Sequence, residues 1–331
     1  MRLERGQSMS RQAIKIRAVK LYDAGMRIKD IHAALVNEYP LANLPYSTVK
    51  TWVTKYRQEI LDAGVPSSYI EPLRVPAEPA SSKTTIALIG DMQVKPDIDL
   101  SYCQRVGRYM AHKKPDIIVN IGDFADMPSL SFHDVPGSMG YEGQRYKNDI
   151  LSVHRGMKLM MEPIQAEMAR TGWKPRLVMT LGNHEDRINR TIKATPKLDG
   201  LMGLPDLEYE RWGWEVIPFL KPIEICGVMF SHYFCTGVMG RPFNSAKSML
   251  TKMAMSCCAG HQQGRDMAMG KRADGTNMTA IICGSTYEHD EGYLNHQTNN
   301  HWRGLYILHD VRNGEFEECA VTMRYLRSKY P

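Results

Sequence analysis

Four short apolar runs, each ending in a polar side chain that can bind a metal ion, constrain this 331-residue chain most strongly. Three of the runs pass through glycine into Asp91, Asp123 and Asn183, and the fourth ends at His232. Continuous apolar runs of this length are typical of buried strands. Because ligands collect at the carboxyl ends of strands in α/β sheets, the four endings predict one site built from four loops. A single ending would say little, since Asp or Asn after a strand is commonly a turn residue.

The segments between these runs have helical character. Helical stretches over Leu100 to Lys114 and roughly Gln144 to Thr171 alternate with the apolar runs from Thr85 onward. This alternation predicts an α/β domain with a layered sheet. A chain of this length with 43% hydrophobic residues has enough apolar side chains for one large domain or two smaller ones.

Three short helices are predicted in the first sixty residues. The first has apolar residues at helical spacing from Ile14 and stops at Gly25, and the second runs over Ile28 to Tyr39. We expect Ser47 to be the N-cap of the third helix, which packs one apolar face and leaves a basic face free. That apolar face comprises Val49, Trp52, Val53 and Tyr56.

The positive charge of the chain is concentrated at the N-terminus. Residues 1 to 57 contain eleven Lys and Arg against four acids, or +7, whereas the remaining residues contain 31 against 32. The excess favours a polyanionic partner. A Pro-punctuated stretch follows, so we predict three parts: residues 1–62 as a small all-α domain, 63–84 as a linker, and 85–331 as the α/β domain.

The cysteines and the apolar runs bear on location. Seven cysteines without a CxxC pair argue against a disulfide framework and favour a reducing cytoplasm. No apolar run approaches the roughly 18 residues of a membrane helix, and no apolar signal region follows Met1. We therefore expect a cytoplasmic protein without a membrane, and the sequence identifies no protein partner.

The polar endings form an ordered series of motifs. They are Asp91-Met-Gln93, Gly122-Asp123-Phe-Ala-Asp126, Gly182-Asn183-His184-Glu185, His232, and Gly260-His261-Gln-Gln263. This series resembles the five blocks of the calcineurin-like metallophosphoesterases. The resemblance implies a sandwich of two β-sheets flanked by helices. Together with the N-terminal helices, it is also similar to phosphoesterases of tailed phages, which would place the protein in the host cytoplasm.

The resemblance implies two divalent metal ions bridged by Asp123. Asn183, His232 and His261 would bind one ion, and Asp91, Gln93 and Gln263 would bind the other. The chain departs from the family at the second ion, because the family usually has histidine where this chain has Gln93 and Gln263. Oxygen ligands suit harder ions, so we expect Mn²⁺, with Mg²⁺ also suited to the glutamine-containing site. The alternative is that this ion is absent and the activity impaired.

The same resemblance assigns two further roles. His184 would stabilise or protonate the leaving oxygen during phosphoester hydrolysis. Asp126 would orient His184, or alternatively would only be a helix N-cap. The branch of the family that dephosphorylates proteins typically has arginine after Asp126, where this chain has Met127, which disfavours a phosphoprotein substrate.

The three N-terminal helices look like a helix-turn-helix, whose third helix lies in the major groove. The alternative is a small basic bundle that docks on protein. Five residues of the third helix are the candidates for DNA contact: Lys50, Thr51, Thr54, Lys55 and Arg57.

Joining the two halves predicts a metal-dependent phosphodiesterase, specifically a nuclease acting on DNA. In the C-terminal part, His301 and Arg303 are candidate substrate contacts. Two alternatives stand beside this function. One is a phosphomonoesterase or small-nucleotide hydrolase tethered to DNA, and the other is a DNA-binding regulator with an impaired metal site.

Overall fold

A computed structural model describes residues 11–23, 26–38, 44–54, 73–74, 83–132, 142–237, 239–289 and 301–331. The chain divides into two compact units, Met1–Glu71 and Pro72–Pro331. The predicted linker and Gly25 fall largely outside the described residues. Within the predicted linker range, however, Leu73–Arg74 forms a short strand. The predicted domain boundaries stay predictions.

The smaller unit contains three helices: α1 (Arg11–Asp23), α2 (Ile28–Glu38) and α3 (Tyr46–Thr54). Their apolar positions meet in one core, as the helical spacing predicts. The buried members of that core are Ile14, Ala18, Val19, Ile31, Leu35, Leu44, Val49, Trp52 and Val53. The predicted burial of Val49, Trp52 and Val53 is confirmed, and Tyr56 lies outside the described residues.

The predicted N-cap of the third helix is wrong. The helix begins at Tyr46, and the backbone N–H groups of Thr48 and Val49 both donate to the carbonyl of Pro45. Ser47 is therefore inside the first turn, where its own carbonyl accepts from Thr51 Oγ1 at 2.8 Å. Sequence reasoning placed the start two residues too late, because serine is a stronger capping residue than Pro45.

The larger unit contains two six-stranded sheets. The first has the order β14-β13-β2-β3-β4-β5, with β2, β3, β4 and β5 parallel and β13 and β14 antiparallel. Its strands are β2 (Thr84–Ile89), β3 (Ile117–Asn120), β4 (Arg176–Thr180), β5 (Glu215–Ile217), β13 (Gly304–Arg312) and β14 (Glu315–Thr322).

The second sheet has the order β1-β6-β7-β10-β12-β11. Its strands are β1 (Leu73–Arg74), β6 (Ile223–Ile225), β7 (Val228–Phe230), β10 (Cys257–Ala259), β11 (Arg265–Lys271) and β12 (Asn277–Cys283). The strands β7, β10 and β12 are parallel. A separate hairpin joins β8 (Cys235–Thr236) to β9 (Arg241–Pro242).

The helices of the larger unit are α4 (Ser101–Lys113), α5 (Tyr146–Thr171), α6 (Asp186–Ala194), α7 (Ala246–Met253) and α8 (Met323–Lys329). Short 3₁₀ turns span Pro128–Leu130, Pro196–Leu198, Leu204–Leu207 and Glu210–Trp212. The two long helical predictions agree with α4 and α5 to within two residues at each end.

The two sheets pack face to face. Ile86 and Val119 of the first sheet share a buried cluster with Phe230 and Ile281 of the second. On its other face the first sheet packs against α4, α5 and α8. The other face of the second sheet packs against α7. The predicted layered α/β domain with two sheets flanked by helices is confirmed, whereas the helix-turn-helix character of the smaller unit stays a prediction.

Gly107 allows α4 and α5 to pack closely. A Cβ atom at this position would lie 2.0 Å from the carbonyl oxygen of Met160. The close packing of these two helices positions the helical layer behind β2, the strand that precedes Asp91.

All seven cysteines are free thiols. Among the described residues, no helix is long and apolar enough to cross a membrane.

Candidate functional site

The polar ends of five parallel strands meet at one edge of the sandwich. Asp91 follows β2, Asp123 follows β3, Asn183 follows β4, His232 follows β7 and His261 follows β10. All four apolar runs of the sequence are strands, and their endings come together as predicted, with a fifth from β10. The two sheets contribute to one site, because β2, β3 and β4 of the first sheet and β7 and β10 of the second all direct their carboxyl ends to it.

Three side chains at this edge form a group suited to a metal ion. The ligand atoms of Asp123, His232 and His261 all lie within 4.8 Å of one another. His232 Nε2 lies 3.2 Å from Asp123 Oδ2. His232 Nδ1 donates to the carbonyl of Ile121 at 2.9 Å, which leaves Nε2 directed at the group.

Asn183 completes this group. Its side-chain oxygen lies 2.9 Å from His232 Nε2 and 2.7 Å from His261 Nδ1. Two imidazoles, a carboxylate and an amide oxygen form a donor set that suits a divalent transition metal. The structure thus brings together all four residues that the resemblance assigns to one ion and its bridge.

Asp91 adds a carboxylate with one buried oxygen that no described residue hydrogen-bonds. Its Oδ1 accepts from the backbone N–H of His261 at 3.1 Å, but no described residue hydrogen-bonds to its buried Oδ2. Burial raises the pKa of Asp91 to about 7, although His232 lowers it and only Asp123 adds to the rise. An unpartnered buried oxygen is costly unless a proton or a cation satisfies it. The residues therefore fit a divalent cation.

The two glutamines both lie at the site. Gln93 and Gln263 are buried, and the backbone N–H of Gln93 donates to the carbonyl of Asp123 at 2.8 Å. Tyr287 Oη donates to Gln263 Oε1 at 2.7 Å. An amide oxygen has two lone pairs, so this bond leaves one for a cation. Their assignment as metal ligands stays a prediction.

His184 lies beside the metal group and is held by Asp126. Its Nδ1 is 2.8 Å from Asp126 Oδ1, and its Nε2 is 3.7 Å from Asp123 Oδ2. Burial lowers the pKa of His184, but the carboxylates of Asp123 and Asp126 outweigh it and raise the value. The alternative of an N-cap at Asp126 is wrong, because Met127 precedes the 3₁₀ turn at Pro128 and no side chain caps it.

Two basic side chains surround Asp126. Lys95 Nζ is 3.3 Å and Arg187 Nη1 is 3.5 Å from its carboxylate. Burial would raise the pKa of Asp126, yet the hydrogen bond with His184 and these cations lower it to about 2. Asp126 is therefore a fixed negative charge behind His184.

Sequence reasoning missed Arg187, although it follows the Gly-Asn-His-Glu motif by only two residues. Its Nη1 donates to the carbonyls of Asp126 at 2.8 Å and Met127 at 3.2 Å. Its Nη2 lies 3.2 Å from His184 Nε2. The α6 helix thus brings a guanidinium to the backbone of residues 126 and 127.

Glu185 was also missed. Its buried carboxylate accepts from the backbone N–H groups of Gly182 at 2.8 Å, Asp123 at 3.0 Å and Ala125 at 2.9 Å, and from Tyr209 Oη at 3.2 Å. Burial and Asp123 raise the pKa of Glu185, and the bonds from Ala125 and Gly182 oppose that rise. One side chain thereby ties the loop after β3 to the loop after β4.

The site loops are also strained and tightly packed. Positive φ angles occur at Gln93 (43°), Asp123 (50°), Met127 (54°), His261 (68°) and Gln263 (57°). Such angles cost free energy in residues other than glycine and cluster at functional sites. A Cβ atom at Gly182 would lie 2.0 Å from Asp123 Oδ1, so only glycine fits there.

The two candidate substrate residues lie beside Tyr287. His301 Nδ1 is 3.2 Å from Tyr287 Oη, and the Arg303 guanidinium is 4.8 Å from the centroid of the Tyr287 ring. Arg303 also donates to the carbonyl of His289 at 2.6 Å. Both residues therefore adjoin Gln263 through Tyr287, and their role stays a prediction.

No protein-family model matches this chain, and no curated protein matches its sequence. Among solved structures, it is similar to a conserved uncharacterized protein from Streptococcus pneumoniae, described as a predicted phosphoesterase, with 13% identity and a TM-score of 0.29. That match covers 72% of this chain and 98% of the other. A dimetal phosphatase from Danio rerio matches with 11% identity and a TM-score of 0.33, covering 72% of this chain and 99% of the other. At these scores, function has to follow from the residues of the site.

Proposed function

We propose that this chain is a metal-dependent phosphodiesterase of the calcineurin-like metallophosphoesterase superfamily that hydrolyses DNA. The observation that supports it best is the meeting of Asp123, His232 and His261 within 4.8 Å, with the His184–Asp126 pair alongside. A cluster of metal-binding side chains next to a histidine that hydrogen-bonds to a carboxylate is suited to displacing an oxygen from phosphorus.

Two divalent cations are proposed at the site, and Mn²⁺ suits the mixed oxygen and imidazole ligands. Asn183, His232 and His261 would hold one and Asp91, Gln93 and Gln263 the other, with Asp123 shared. When bound, the cations would supply positive charge for the phosphate and promote the ionisation of water near neutral pH.

The chain's own residues then handle the leaving group. His184 is the proton donor to the leaving oxygen, because Asp126 fixes its Nδ1 and leaves Nε2 directed toward Asp123. Arg187 holds the backbone at Asp126 and Met127 and places a guanidinium beside His184 Nε2. That guanidinium can bind a phosphate oxygen, since arginine presents several donors in one plane.

The direct test is Mn²⁺-dependent hydrolysis by the full chain of plasmid DNA, linear single-stranded and double-stranded DNA, and bis-p-nitrophenyl phosphate. We expect cleavage of DNA and of the small ester, and a rate reduced by about 10²- to 10⁴-fold in His184→Ala. His309→Ala, which removes an exposed histidine of β13, should leave the rate unchanged.

Other outcomes of that assay would assign a different function. Cleavage of the small ester alone would favour the tethered small-substrate hydrolase. No cleavage by a chain that binds Mn²⁺ and DNA would favour the DNA-binding regulator.

The proposed location of this protein is the cytoplasm, or the cytoplasm of the host if a phage encodes it. The seven free thiols are in keeping with a reducing compartment.

DNA is proposed to bind the outer face of α3. Lys50 and Thr54 are exposed and Thr51 is half-buried, while Lys55 and Arg57 lie outside the described residues. Thr51 and Thr54 both donate their hydroxyls to carbonyls within the helix, at 2.8 Å. Lys50 is therefore the described side chain best suited to a phosphate.

Lys50→Ala should weaken duplex DNA binding several-fold. The slope of the logarithm of the binding constant against the logarithm of the salt concentration should become about 1 less steep, the value for one lost phosphate contact. Fluorescence anisotropy over a range of salt concentrations measures both quantities. Lys29→Ala is the matched control, because it removes an exposed lysine from α2 of the same unit. Equal losses in the two variants would show general electrostatic attraction and contradict a specific role for α3.

A further inference from the structure

Three side chains from three segments adjoin the metal-binding candidates Asn183 and His261 directly or through one another, and the proposed chemistry uses none of them. They are Phe132, which follows the 3₁₀ turn after β3, Arg190 of α6, and Tyr233, which follows β7. We refer to these three residues as the aromatic rim.

Arg190 connects the rim to the metal group. Its Nη2 donates to the carbonyl of Asn183 at 2.7 Å, and its guanidinium carbon lies 5.8 Å from the centroid of the Phe132 ring. Its Nε is 3.7 Å from Asp186 Oδ2, but 45% of the Arg190 side chain remains exposed, so that ion pair is weak. Because arginine has five N–H donors, these contacts leave the guanidinium able to bind a phosphate.

The two aromatic rings are not explained by core packing alone. Phe132 is 61% exposed. The Tyr233 ring is half-buried, with its centroid 4.8 Å from that of His261 and 5.6 Å from that of Phe219. The Tyr233 ring thus packs on His261, a metal-binding candidate, while the Phe132 ring is exposed to solvent next to the Arg190 guanidinium.

We infer that the aromatic rim binds an unpaired nucleobase and an adjoining phosphate, so that the site acts on single-stranded nucleic acid. The inference rests on the proposed function and specifies its substrate. Aromatic rings with a neighbouring arginine are suited to unstacked bases, because every base offers a π-face. In a duplex, neighbouring base pairs already cover those faces, so the rim would have nothing to stack on.

Binding tests the rim without relying on catalysis. With Mn²⁺ present, thymidine 5′-monophosphate and methyl phosphate are titrated into the full chain by calorimetry. We expect the nucleotide to bind about 5- to 100-fold more tightly, in the range of one base stacked on an aromatic ring. In Phe132→Ala and in Arg190→Ala the preference should fall several-fold. Tyr325→Ala, which removes an exposed ring from α8, should preserve it.

Hydrolysis provides the second measurement and separates the two proposals. Thymidine 5′-(p-nitrophenyl phosphate) and methyl p-nitrophenyl phosphate share a leaving group and differ in the base. The ratio of their kcat/KM values should fall in Phe132→Ala, and a single-stranded oligonucleotide should be cut faster than the same strand in a duplex. Hydrolysis of both esters with equal kcat/KM by the unaltered chain would overturn the rim and leave the phosphodiesterase standing.

If neither ester is hydrolysed, the phosphodiesterase proposal fails, and binding alone decides the rim. A nucleotide preference that Phe132→Ala abolishes would then support the rim as a nucleotide site. Equal affinities for the nucleotide and methyl phosphate would overturn it.

Discussion

Asp123→Asn is expected to lower phosphodiester hydrolysis by at least about 10³-fold, which corresponds to about 4 kcal/mol of transition-state stabilisation. Asp123 Oδ2 lies 3.2 Å from His232 Nε2, and Oδ1 accepts from the backbone N–H of His184 at 2.9 Å. Asparagine has the same shape and can keep the second bond, but it removes the negative charge on which the cations depend. Weaker Mn²⁺ binding, measured by calorimetry, should accompany the loss of kcat/KM.

The groups around Asp123 favour its negatively charged form. Burial would raise the pKa of Asp123, but His184 and His232 outweigh it and hold the value well below the usual range. The carboxylate is thus ionised near neutral pH, where the amide variant lacks its negative charge.

Asp97→Asn is the matched control for this prediction. Asp97 also has a positive φ, 62° against 50° at Asp123, but it is exposed. The same substitution there tests the backbone conformation without the site, and we expect little change in rate or in Mn²⁺ affinity. Unchanged Mn²⁺ affinity and rate in Asp123→Asn would mean that the metal centre lies elsewhere.

The strand endings of the site could be predicted because each depends on local sequence. A continuous apolar run must be buried on both faces, and the residue at its carboxyl end then lies at the edge of the sheet. This reasoning located Asp91, Asp123, Asn183 and His232, and the resemblance added His261. It needed no knowledge of how the loops approach one another.

The missed residues depend on contacts between loops that are distant in sequence. Glu185 accepts from Asp123 and Ala125, about sixty residues earlier, and nothing in its neighbourhood indicates that it points inward. Arg187 had one available signal, its position three residues after His184 at the start of α6, because residues three apart in a helical turn lie close together. The aromatic rim joins three separate segments, so no single motif could have indicated it.

Backbone conformation was a further source of error. A positive φ at Asp123 or His261 opposes the ordinary preference of these residues, and only the packed loops impose it. At the third helix, propensity favoured Ser47 as the cap, but the carbonyl of Pro45 already accepts from the first turn. In both cases tertiary or neighbouring structure overrode a local preference.

Glu185→Gln should lower the free energy of unfolding by about 2 to 4 kcal/mol, although the two side chains have nearly the same shape. Three backbone N–H groups and the Tyr209 hydroxyl surround the carboxylate. In either orientation of the amide, its NH₂ group faces donors that the carboxylate oxygen accepted. Each buried donor left without an acceptor costs about 1 to 3 kcal/mol. Chemical denaturation monitored by tryptophan fluorescence measures the loss.

The site should be affected together with the fold, because Glu185 fixes the backbone of Asp123 relative to Gly182. At a temperature where Glu185→Gln is still folded, Mn²⁺ affinity should fall by about 10- to 100-fold, the range for losing a group that orients a metal ligand. Glu162→Gln is the control, since that carboxylate is half exposed on α5 and pairs only with Lys158 at 3.6 Å among the described residues. If Glu185→Gln keeps the stability and the Mn²⁺ affinity of the unaltered protein, the two loops hold their positions without this carboxylate. The geometry of the metal-binding side chains would then depend on the strands alone.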